Sequence, residues 1–81
     1  MQTQDPRAKT MRSVTVDRTP REGHVVELPT GLLYMNEFFG QRAVISEPRR
    51  VVVTGRDRDE FFWRNGQGRS CYARFALRSR A

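Results

Sequence analysis

The chain reads as a mostly β member of the α+β class. The expected architecture is a small twisted antiparallel sheet of about five to six short strands, open or curled into a partly open barrel. One short helix near residues 31–39 and a flexible tail over residues 1–12 complete it. Three observations lead there. β-Branched and aromatic residues gather in short runs, as at Val14, Val16, Val25, Val26 and Val51 to Val53. Turn-forming residues such as Pro20, Gly23, Pro48, Gly66 and Gly68 separate those runs. One apolar segment, residues 30–40, does not alternate cleanly.

At 81 residues the chain supports one small domain, placed at 13–81, with a modest core. Residues 1–12 have no periodicity and mix Gln, Thr, Asp, Pro, Arg and Lys, which suits a mobile arm. Residues 13–17 alternate, and residues 24–28 do so again beyond a turn containing Pro20 and Gly23. The pair is expected as a hairpin with Val14 and Val16 inward. In 30–40, Thr30 caps a helix, Leu32, Met35 and Phe39 share its face, and Gly40 ends it. A hairpin turning at residues 35–37 is the rival reading, since two helical turns alone are marginal. Residues 42–46 and 50–55 follow as strands around Pro48, with Glu47 opposite Arg50 and Ile45 opposite Val52. Residues 56–59 read as a charged, solvated loop.

The final hairpin is the informative one. Residues 60–65 and 69–77 are strands joined around Gly66, Gln67 and Gly68. A two-residue loop sends Phe61 and Trp63 to the face opposite Cys71, Ala73, Phe75 and Leu77. A three-residue loop with Gly68 left-handed gathers all six on one uncharged face. Because side chains alternate, a slip of one residue exchanges the two faces completely. The three-residue loop is chosen because it buries the tryptophan and keeps Arg64 away from Arg69. It leaves Phe62, Arg64, Tyr72, Arg74 and Arg78 outside.

Charge gives that outer face a meaning. The net charge is +6, and residues 48–81 carry all of it, with nine arginines against Asp57, Asp59 and Glu60. Charge so divided points to a polyanionic partner. A GC-rich genome that favours arginine codons is the plain alternative, and a single lysine, Lys9, fits it equally. Arginines interleaved with rings suit nucleic acid, the cations meeting phosphates and the rings stacking on bases. The expected binding residues are therefore Arg49, Arg50, Phe62, Arg64, Tyr72, Arg74 and Arg78, with single strands favoured over duplex. The same surface also fits a protein-interaction module, such as a virus-encoded inhibitor or accessory subunit, engaging an acidic patch on its partner.

Catalysis, metal and cofactor are not expected. His24 is the only histidine and has no ligand-spaced partner. Cys71, the only cysteine, lies on an apolar strand face and excludes an internal disulfide. The glycines at 66 and 68 begin a GxGxxG pattern that Cys71 interrupts. A ribonuclease built on His24, Tyr72 and Arg74 has nothing to set its geometry. With no apolar segment long enough to span a membrane and no leader after Met1, a cytoplasmic protein of bacterial or viral origin is expected.

Overall fold

In the computed structural model, residues 10–36 and 40–78 are described, with backbone alone at Gln41. They form eight strands: β1 (Ser13–Val16), β2 (Val25–Leu28), β3 (Leu33–Asn36), β4 (Gln41–Val44), β5 (Arg49–Val52), β6 (Gly55–Asp57), β7 (Glu60–Arg64) and β8 (Ser70–Leu77). No helix is present among the described residues. The largest sheet runs β4-β3-β8-β7-β6, with β1 also on β8, and β2 and β5 form a separate two-stranded ribbon.

β8 organises the large sheet. One of its edges takes β7 in antiparallel register. The other is shared: β3 pairs antiparallel at Tyr72 and Cys71, and β1 then runs parallel from Arg74 to Leu77. The alternation of β8 decides what each face holds. Cys71, Ala73 and Phe75 are buried, whereas Tyr72 is half-buried and Arg74 is exposed. Phe61 and Trp63 of β7 join the buried side, with ring centroids 5.5 Å apart, and Phe75 lies 6.3 Å from Phe61. The ribbon adds Val26, Leu28 and the adjoining Val53 to the same core, which Val14, Leu32 and Ile45 complete. Phe61 is fully enclosed, and burial of such a side chain stabilises by about 1.5–3 kcal/mol. No polar or charged residue is buried among those described.

Several local expectations give way to long-range pairing. The helix near 31–39 is replaced by β3. Its alternation sends Tyr34 inward, 5.7 Å from the Trp63 ring, and the strand gains ladder bonds to both β4 and β8. A lone two-turn helix has nothing comparable to hold it. β3 and β4 are hairpin partners, but not about the rival turn at residues 35–37: Met35 and Asn36 belong to β3, with Asn36 opposite Gln41 and Gly40 N–H donating to Asn36 O at 2.8 Å. Phe38 and Phe39 lie outside the described residues.

β1 and β2 do not pair with each other. β1 joins β8, which sets Val14 beside Phe75, and β2 joins β5. Nor do β4 and β5 form a hairpin about Pro48. Ile45, 2 % exposed, donates its N–H to Leu32 O. The chain then leaves for the ribbon, where Arg50 meets Glu27 instead of Glu47. The first half of the expected loop at 56–59 belongs to strand β6, and the other half is a two-residue turn with Arg58 left-handed at φ 56°. Leu77 is 54 % exposed rather than inward, because β7 begins only at Glu60, opposite Arg74. Most of the expected tail lies outside the described residues; Met11 N–H donates to Gly31 O, and Met11 O accepts from Leu33 N–H.

Candidate binding face

The loop between β7 and β8 sets this face. Asn65 N–H donates to Arg69 O, and Gly68 N–H donates to Asn65 O, both at 2.9 Å, enclosing Gly66, Gln67 and Gly68. Gly68 is left-handed at φ 79°. The Asn65 side-chain oxygen accepts from Gln67 N–H at 2.8 Å and from Arg69 N–H at 3.0 Å, fixing the turn from inside. The register that follows pairs Glu60 with Arg74, Phe62 with Tyr72, Trp63 with Cys71 and Arg64 with Ser70, as the three-residue loop requires.

Phe62 and Tyr72 therefore stand together on the outer face, edge to face, with centroids 5.9 Å apart and planes at 84°. Both are half-buried. Phe62 also leans over the neighbouring strand: a β-carbon at Gly55 would lie 3.6 Å from Phe62 Cδ2. The missing side chain at Gly55 thus leaves room for the ring, a known way to cover a strand glycine. Pairing continues the line across five strands as Arg42, Met35, Tyr72, Phe62 and Gly55. A parallel row sets Glu60 between Arg74 and Asp57.

The arginines divide into groups. Arg64 Nη1 donates to Gly68 O at 2.8 Å, along the loop. Arg74 Nη2 donates to Asp59 Oδ2 at 2.6 Å. That bond, with the charge behind it, holds the Asp59 carboxyl below its ordinary range and raises the Arg74 guanidinium. Arg78 Nε donates to Asp17 Oδ1 at 2.7 Å, beyond the end of β8. Arg49 and Arg50 belong to the ribbon, opposite Leu28 and Glu27. Of the seven residues expected to bind, Phe62, Arg64, Tyr72 and Arg74 share the outer face. Arg78 stands at its margin, and Arg49 and Arg50 lie in the second layer.

Sequence reasoning missed Arg42 and Met35, which belong with this face, and left Arg12 in the mobile arm. Arg12, Met35, Arg42, Tyr72 and Arg74, with Leu33, Tyr34, Glu60 and Ala73, line a cleft of about 310 Å³ between β3 and β8. Reading β3 and β4 as a hairpin would have placed Met35 and Arg42 outward by alternation alone. A second depression of about 410 Å³, lined by Glu60, Phe62, Ser70 and Tyr72, adjoins it.

Other reactive side chains stand apart. His24 Nδ1 accepts from Arg21 N–H at 3.3 Å, and His24 lines a cleft with Asp17 and Arg18 rather than with Tyr72 and Arg74. No three His, Cys, Asp or Glu side chains are grouped to hold a metal among the described residues. Cys71 is buried, and desolvation pushes its thiol pKa up despite the opposing charge of Arg49. No described helix is long and apolar enough to cross a membrane. Comparison with protein-family models, curated proteins and solved structures gives no match.

Proposed function

We propose that the protein binds single-stranded nucleic acid, without catalysis, on the outer face of the large sheet. One observation carries this reading. Arg42, Met35, Tyr72 and Phe62 form a continuous cross-strand row, on the face opposite the core that the β2–β5 ribbon helps to build. A row of half-exposed rings and a thioether offers bases a flat apolar seat, while guanidinium groups take the phosphates. The ion pairs of Arg74 and Arg78 do not oppose this role. Both are exposed, with side chains 61 % and 64 % accessible, and such solvent-screened pairs contribute little to stability. A phosphate readily takes the place of the carboxylate.

Titration of labelled single-stranded DNA and RNA at rising salt tests the proposal. Affinity falls steeply with salt as counterions return to the strand. Base stacking contributes about 1–3 kcal/mol per base; because Tyr72 is half-buried, Tyr72→Ala should weaken binding by the lower figure, about fivefold. Arg42→Glu weakens it further. Affinity indifferent to both salt and Tyr72→Ala would overturn the proposal.

A second reading, docking on another protein, is favoured by a different observation. Val25 and Val52 face each other on the outside of the ribbon, 60 % and 56 % exposed, beside the Glu27–Arg50 pair. Under that reading, Val25→Asp with Val52→Asp abolishes capture of the partner and leaves the outer face of the large sheet untouched.

A further inference from the structure

We infer that the fork between β3 and β8 is a base pocket selective for guanine, an inference that rests on the nucleic-acid reading above. The fork exists because β8 changes partner along one edge. β3 covers it at Cys71 and Tyr72, and β1 takes over at Arg74. Strands that part in this way leave a gap in the outer face, and the 310 Å³ cleft lies there. That volume is at the lower end for small-ligand sites.

The lining gives direction to a bound nucleotide. Leu33, Met35 and Tyr72 form apolar walls for a base, and Arg12, Arg42 and Arg74 supply cations for its phosphates. Glu60 is the one carboxylate in the lining among the described residues. It repels phosphate, so the base edge and not the backbone must face it. Arg74, its cross-strand neighbour, gives its hydrogen bond to Asp59 and interacts with Glu60 through charge; no hydrogen bond engages the Glu60 carboxylate among the described residues. Two acceptor oxygens are therefore available and no donor.

Guanine alone matches them. Its Watson–Crick edge presents N1–H and N2–H side by side, two donors for two carboxylate oxygens. Adenine and cytosine each set an acceptor next to their amino group, and uracil flanks its single N–H with carbonyls. In a single strand these edges are free to be read.

The test uses labelled oligouridine carrying one central guanine, adenine or cytosine, with free GMP as a separate competitor. The guanine strand should bind about tenfold more tightly than the others, the low end for a bidentate base contact. Glu60→Gln, which replaces one acceptor by a donor, should erase that preference while raising affinity for plain oligouridine. Competition by GMP as strong as that by the guanine strand would make the free nucleotide the ligand of the pocket. Equal wild-type affinity for all strands overturns the guanine pocket and leaves nucleic-acid binding standing. No binding to any strand overturns both. The wild-type comparison decides even if the variant fails to fold.

Discussion

Two alanine substitutions two residues apart, Gly66→Ala and Gly68→Ala, should change stability in opposite directions. A β-carbon meets nothing within 4 Å at either position, so packing contributes nothing to the difference. Only the backbone distinguishes them. Gly68 sits at φ 79°, where a β-carbon crowds its own carbonyl and costs about 1–2 kcal/mol. Gly66 has no positive φ, so alanine there restricts the unfolded chain and stabilises by about 0.4–1 kcal/mol. The restriction of the unfolded chain is common to both substitutions and cancels between them, so the two variants should differ by the backbone cost, about 1–2 kcal/mol. For a domain of this size each kcal/mol moves Tm by roughly 4–8 °C, so Gly66→Ala melts above the wild type and Gly68→Ala below it. Thermal melts followed by circular dichroism, with urea titration for the free energies, give both signs. Destabilisation at Gly66 together with neutrality at Gly68 would refute the three-residue loop. In a two-residue turn at Asn65 and Gly66, both residues would be left-handed. The faces of the hairpin would then be exchanged, and Trp63 fluorescence would report a solvated ring instead of one 3 % exposed.

Two further outcomes depend on pH. The Cys71 thiol, raised by burial, ionises less readily folded than unfolded. The unfolded state then binds fewer protons above about pH 8.5, so stability declines with rising pH there, and Cys71→Ala should flatten that alkaline slope in urea titrations. Asp59, lowered by its bond from Arg74, contributes stability that is present above the unfolded carboxyl value and lost as pH falls through the folded one. Carboxyl NMR should find Asp59 titrating lower than usual in the wild type and returning to the ordinary range in Arg74→Gln; an unchanged titration would refute the pairing.

The part of the fold legible in the sequence is the part decided locally. For β7 and β8, loop length, alternation and burial of Trp63 all select one register, and the structure has it. The ribbon was illegible because β2 and β5 are separated by β3 and β4, and no short-range signal links them. The sequence offers Val25 and Val26 several equivalent valines at 51–53; only the closing of the core over Phe61 selects among them. The segment at 30–40 misled for a related reason. Leu32, Met35 and Phe39 fit a helical stripe, but Tyr34 finds Trp63, a contact twenty-nine residues distant in the chain. The binding face was half legible. Phe62 and Tyr72 follow from the hairpin, whereas Arg12, Met35 and Arg42 arrive through pairings the sequence does not announce. Total charge does not announce pairing either: Arg74 finds Asp59, and Arg78 finds Asp17.

β8 pairs with β7 on one edge and with both β3 and β1 on the other, yet it is synthesised after all of them. The earlier strands leave the ribosome with their central partner still to be made, so β1 and β3 wait with open edges and exposed valine and leucine side chains. Folding of this chain thus waits for β8 rather than proceeding by stepwise accretion, and its rate is governed by non-local closure. A ribosome stalled before residue 70 should hold a protease-sensitive chain, and one stalled on an added C-terminal linker long enough to bring β8 out of the exit tunnel a protected one. The strand that sets Tyr72 on the outer face is also the strand that decides when the protein first has a shape.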